Sequence, residues 1–174
     1  MKNLIVCGPS GSGKSTLVKL LVQMFPDKYV KATQCTTRPR REGESPDEYK
    51  FVSHDEFKKL ASSLVGITHI GENSYGSIMD GKEQRIQIFI LNGDGIKDFR
   101  YIAQCLKNST TKCLGVYRDL EKCCASRPSR DPEYIKSEFK VLEMADQTYA
   151  NIYASLDDSI IKDLDKAIDI LFGD

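Results

Sequence analysis

The chain has 174 residues, 40% of them apolar and 29% charged, which suits one soluble domain with a core of its own. Lys plus Arg and Asp plus Glu each number 25, giving zero formal net charge; a general nucleic-acid or membrane-surface binder carries a basic excess, so any anion site here must be local. Six scattered cysteines without a C-x-x-C pair, and two histidines, suggest neither a zinc site nor a disulfide framework. The N-terminal apolar run is too short for a signal peptide and no segment reaches membrane-span length, so a cytoplasmic protein with reduced, mostly buried thiols is expected.

The run "NLIVC" (Asn3 to Cys7) is continuously apolar, as in a strand buried on both faces of a parallel sheet. "GPSGSGKST" follows, and then "LVKLLVQMF", a buried helix stopped at Pro26-Asp27. In the middle, "EYKFVS" alternates and Ser53 and Glu56 stand three apart as a capping box. "GITHIGENSYGS" has the pattern of a hairpin turning at "GEN", so this part is expected to be a small mixed lobe inserted in the core. Two more apolar runs, "IQIFIL" (Ile86 to Leu91, ending in the turn "NGDG") and "KCLGVY" (Lys112 to Tyr117), predict further parallel strands. From Tyr117 to Tyr149 the pattern is helical and charged, broken by a loop at "SRPSRDP". Leu164, Ile168 and Leu171 give a closing amphipathic helix. Strands alternating with helices predict an α/β fold around a parallel sheet.

Gly8 to Ser15, "GPSGSGKS", fits G-x-x-x-x-G-K-[ST] in full, and it follows a predicted strand and opens a predicted helix. Glycines let backbone N–H groups cradle phosphate oxygens beside a helix N-terminus, whose dipole favours anions. Lys14 would place a point charge on the β and γ phosphates, and the Ser15 hydroxyl would be a Mg²⁺ ligand. Gly11, Ser12, Gly13, Lys14, Ser15 and Thr16 are the residues expected to hold ATP.

"CTTRPRREGESPDEY" (Cys35 to Tyr49) puts three arginines in four residues, which repel one another unless an anion sits among them. Guanidinium forks match phosphate oxygens bidentately, phenol hydroxyls add neutral donors, and nearby acids keep the cluster tolerable when empty. With the phosphate loop before it and "YGS" (Tyr75 to Ser77) after it, the stretch "TTRPRREGESPDEYKFVS" resembles the guanylate kinase family, whose pattern is T-T-R, four residues, G-E and then Y-x-F-V-S. The resemblance covers most of the chain and weakens after about Gly93.

That resemblance implies a three-layer P-loop kinase core over about residues 1–33, 78–118 and 141–174, an acceptor-binding lobe over about 34–77, and a helical lid over about 119–140. It implies ATP-dependent phosphorylation of a nucleoside 5′-monophosphate with Mg²⁺, GMP being the family's acceptor, by a monomer or weak dimer. Arg38, Arg41, Tyr49 and Tyr75 would grip the acceptor phosphate and Glu44 would orient the arginines. Gln34, Thr37 and Ser77 complete the expected acceptor set. In the lid, Arg127 and Arg130 are both candidates to neutralise the transferred group, with Arg127 the better match to the family's G-R-G. Cys123 and Glu138 stand where two other family arginines would be.

The departures gather on the base side. Gln34 stands at a guanine-reading serine and Gly66 at a guanine-reading glutamate; Asn92 and Asp94 compete for the role of the acids after the third strand. Asp94 is taken as the acid near Mg²⁺ and the acceptor. "SIMDGKEQ" is too short for the helix that the family puts before the next strand. These differences leave a monophosphate kinase of shifted base preference, or a catalytically weak binding module, as alternatives. Against the module stands the intact Lys14-Ser15 pair, for which pure binding has no use.

Overall fold

A computed structural model describes residues 1–153 and 155–173; Ala154 and Asp174, within the C-terminal core segment expected from the sequence, lie outside the described residues. Five parallel strands form the main sheet: β1 (Lys2–Cys7), β2 (Tyr29–Lys31), β7 (Ile86–Ile90), β8 (Thr110–Tyr117) and β9 (Gln147–Ala150), in the order β2-β7-β1-β8-β9. The apolar runs are continuous because both faces are covered. Leu4, Val6, Ile88 and Leu114 point to one side, where they meet α1 (Lys14–Met24) and α6 (Asp158–Phe172) through Leu17, Leu21, Ile161 and Leu164. Ile5, Cys7, Phe89 and Cys113 point to the other, against Ile96 and Phe99 of α3 (Gly93–Ala103). The result is a three-layer α/β core, as the strand pattern predicts.

A second sheet, spanning Gln34 to Ile78, is built from β3 (Gln34–Thr36), β4 (Lys50–Phe51), β5 (Leu64–Ile70) and β6 (Asn73–Ile78) in the order β4-β3-β6-β5. Its hairpin turns at Gly71-Glu72. α2 (His54–Leu60) begins on the predicted capping box: the Ser53 hydroxyl accepts from the Glu56 N–H, and the Glu56 carboxylate accepts from the Ser53 N–H. Between β6 and β7 no helix forms among the described residues, in keeping with the shortness of that segment.

Three elements differ from the sequence expectation. The "NGDG" turn is the start of α3, because Asn92 caps it by accepting from the Gly95 N–H while Ile96 and Phe99 bury one helix face. The charged stretch ending at Tyr149 is helical only in α4 (Leu120–Ser126), α5 (Pro132–Glu138) and a following 3₁₀ turn (Phe139–Met144). It then becomes the edge strand β9, whose residues are all half-buried or exposed and show no apolar run. "EYKFVS" contributes only the two residues of β4 to a sheet.

Candidate active site

The phosphate loop runs between β1 and α1. Gly13 takes the left-handed conformation (φ 86°) that starts α1, and a Cβ there would lie 2.6 Å from the Asn151 side chain. Loop carbonyls are tied away by distant residues: Asn151 Nδ2 donates to Ser12 O (2.8 Å) and Arg118 Nη1 to Gly11 O (3.1 Å). Pro9 O accepts from the Ser12 N–H (3.1 Å) and from Lys14 Nζ (3.2 Å). Burial pulls the Lys14 ammonium below the usual lysine range; Glu138 acts against that shift and Arg127 adds to it. A desolvated cation whose hydrogen bond goes to a backbone carbonyl is prepared for an anion. Ser15 and Thr16 are exposed on the first turn of α1, while Ser12 is buried and its hydroxyl has no hydrogen-bond partner among the described residues.

Across the cleft, Arg38 and Glu44 form a two-pronged pair, Nη2 to Oε1 at 2.7 Å and Nη1 to Oε2 at 3.0 Å. Glu44 also accepts from the Arg41 N–H (3.0 Å), so one carboxylate organises both arginine positions. The Arg38 guanidinium, with the Arg41 N–H, holds the Glu44 carboxyl at about 2, well below the usual carboxylate range. Arg38 lies over the rings of Tyr49 (5.5 Å) and Phe51 (5.8 Å), and Tyr49 packs edge-on against Tyr75 at 6.3 Å. Thr37 is differently employed: its hydroxyl accepts from the Ser74 N–H (2.9 Å), locking the end of β3 to β6.

These pieces line one cleft of about 850 Å³, within the usual size of a small-molecule site. Lys14, Arg38, Arg41, Tyr49 and Tyr75 all face it, with Gln34 and Ser77 deeper on the lobe side. Gln34 pairs with Ser77 across β3 and β6, which sets both side chains on one face of the small sheet. Gln34 Nε2 donates to Ile90 O (2.9 Å), and the buried Ser77 hydroxyl has no hydrogen-bond partner among the described residues. Gly66 lies on a β-bulge at φ 65°, and a Cβ there would meet Leu91 Cδ2 at 2.7 Å. Leu91 therefore closes the space that a side chain at position 66 would need.

Of the two competing residues after β7, Asn92 is spent as the α3 cap. Asp94 lines the cleft from the first turn of α3, exposed and 3.8 Å from Lys97. Between α4 and α5, Arg130 reaches the phosphate loop, donating to Ser10 Oγ at 2.6 Å, and it lines the cleft; Arg127 is exposed and does not line it. Sequence reasoning missed Ser10, Arg118 and Asn151. Ser10 lies inside the loop motif at a position the motif leaves open and Arg118 at the end of an apolar strand, while nothing local marks Asn151.

The guanylate kinase family model matches residues 1–92 of the chain. The chain belongs to the guanylate kinase family. Guanylate kinase from Campylobacter jejuni is 36% identical over 102 residues, covering 54% of this chain and 50% of the relative. That from Chlamydia pneumoniae is 45% identical over 81 residues (45% and 40% covered), and that from Escherichia coli 37% over 84 (46% and 41%). The chain spans about half the length of the curated relatives it matches. The crystal structure of guanylate kinase from Anaplasma phagocytophilum superposes with a TM-score of 0.69 at 20% identity, covering 98% of this chain and 84% of that one, which extends the family fold over the whole chain. No helix among the described residues is long and apolar enough to cross a membrane.

Proposed function

We propose that the protein transfers the γ-phosphoryl group of ATP to the 5′-phosphate of GMP, giving ADP and GDP. The observation that carries this proposal is one cleft holding two phosphate grips. The desolvated Lys14 on the loop lies on one side, and Arg38, Arg41, Tyr49 and Tyr75 around Glu44 on the other. Two anionic substrates held across one cleft suit in-line transfer. An acceptor phosphate oxygen attacks the γ phosphorus, the bond to the β–γ bridging oxygen breaks, and ADP leaves with its electron pair. Such chemistry asks the protein for positioning and charge neutralisation, which these cations supply.

In this proposal the core binds ATP through Gly11 to Thr16, the lobe around residues 34–77 binds the acceptor, and the lid around 119–140 closes with Arg130 as its working arginine. No group of three His, Cys, Asp or Glu side chains able to hold a metal occurs among the described residues. Mg²⁺ would enter with the nucleotide: the exposed Ser15 hydroxyl on the first turn of α1 would be its protein ligand, and the ion would supply neutralisation of phosphate charge. Asp94, exposed and lining the cleft, is the acid proposed to act near Mg²⁺ and the acceptor. GMP is favoured as acceptor by the relatives' names. It also fits Gln34, whose amide nitrogen is held by Ile90 O so that its carbonyl can accept from the N–H edge of guanine, with Ser77 beside it. A cytoplasmic enzyme, monomeric or weakly dimeric, completes the proposal.

The test is a coupled assay of ADP release with GMP, dGMP, AMP, UMP and CMP under one set of conditions. GMP should give the highest kcat/KM. ADP release that no monophosphate stimulates would end the kinase proposal.

A further inference from the structure

The phosphate loop already carries an anion. Glu138, the last residue of α5, accepts from the Ser10 N–H through Oε1 at 3.3 Å. The same oxygen is 4.0 Å from Arg130 Nη1, while Arg130 donates to Ser10 Oγ and lies 5.5 Å from the Tyr134 ring. Glu138 also supports the charge of Lys14. A carboxylate on a loop N–H, beside an arginine and a desolvated lysine, has the partners of a phosphate oxygen.

Its location says which phosphate. Glu138, Arg130 and Lys14 line the same cleft as Arg38 and Arg41, and the transferred phosphate must lie between the donor and acceptor grips. We propose that Glu138 is a specificity-determining residue for the donor nucleotide. Its carboxylate stands in for the terminal phosphate at Ser10 and Arg130, so a triphosphate must displace it and a diphosphate need not. The inference rests on the nucleotide binding proposed above. Arg130 changes partner from Glu138 to the phosphate as ATP enters.

The test is calorimetric titration of the full chain with Mg-ATP and, separately, Mg-ADP, for the parent and for Glu138→Gln and Glu138→Ala. Removing a competing charge-assisted contact should tighten ATP by about tenfold in Glu138→Ala and leave ADP within about twofold, with Glu138→Gln between. Should the alanine variant fail to fold, the isosteric glutamine variant carries the comparison alone. Equal changes for both nucleotides, or a weakened ATP, would overturn the inference, the latter by showing that Glu138 holds Arg130 ready for the phosphate. If neither nucleotide binds the parent chain, the nucleotide proposal falls and takes this one with it. Binding without a selective ATP effect removes this one alone.

Discussion

The first 92 residues and the rest of the chain contribute to the candidate cleft under different rules. The first part carries the phosphate loop and the Arg38–Glu44 grip as two unbroken stretches, and the family model stops where it ends. The second part contributes α3, β8, α4, α5, β9 and α6 to the same fold, yet its hydrogen bonds to the phosphate loop come from single residues, Arg118, Arg130, Glu138 and Asn151. Phosphate recognition by a contiguous backbone loop tolerates few substitutions, because glycine conformations and donor positions must occur together. Covering a sheet face needs only apolar residues at the right period, which many sequences satisfy.

The sharpest way to break that contrast is Lys14→Ala, which should abolish activity while leaving the fold nearly intact. Losing a cation that meets the transferred phosphate costs on the order of 10²–10³ or more in rate. Thermal melting with and without Mg-ATP checks it: the variant should lose the ligand-induced shift, and a normal shift would undo the assignment of the loop. Next comes Arg38→Ala, expected to weaken GMP by about 10- to 100-fold while leaving ATP nearly unchanged, since a charge-assisted bidentate contact is the strongest polar one available. Separate titrations of the two nucleotides decide it, and equal losses would place Arg38 on the triphosphate.

For the second part of the chain, Asn151→Ala should act on stability before affinity. Its amide is the buried donor to Ser12 O, so the substitution strands a buried carbonyl at a cost of about 1–3 kcal/mol. Urea unfolding measures this. An unchanged midpoint would mean that the loop holds its shape without help from the C-terminal part.

The same contrast governs what could be read from the sequence. β1, α1 and the phosphate loop were legible because strand, loop and helix are adjacent and each has its own period or motif. The Arg38–Glu44 pair was an implication of the family resemblance, whose motif holds both residues six positions apart. Asn151 to Ser12 spans 139 residues, Ser10 to Glu138 128 and Arg118 to Gly11 107, and no local pattern encodes a contact across such distances. β2 and β9 escaped notice because edge strands of three or four residues are too short to show alternation. α3 was hidden because its cap, Asn92, sits in a sequence that also spells a turn. Between α4 and α5 the sequence offers both Arg127 and Arg130, and only the fold shows that Arg130 reaches Ser10.

The smallest expected effect bears on how the acceptor side keeps its charge. Glu44 titrates at about 2 in the folded chain, because Arg38 and the Arg41 N–H both favour its charged form. Unfolded, the carboxyl returns to about 4.3. A depressed folded pKa means that the contribution of this pair is complete above the unfolded value and is lost as pH falls from there through about 2. Carbon-13 NMR of the Glu44 carboxyl should therefore show a midpoint near 2 in the parent chain. In Arg38→Ala the midpoint should rise toward the ordinary glutamate value and stop short of it, since the Arg41 N–H still donates. An ordinary midpoint with Arg38 present would show the pair to be loose in solution, and the arginine would then have to be ordered by the arriving phosphate. A midpoint unmoved by the substitution would assign the shift to the Arg41 turn alone, leaving Arg38 unsupported by Glu44.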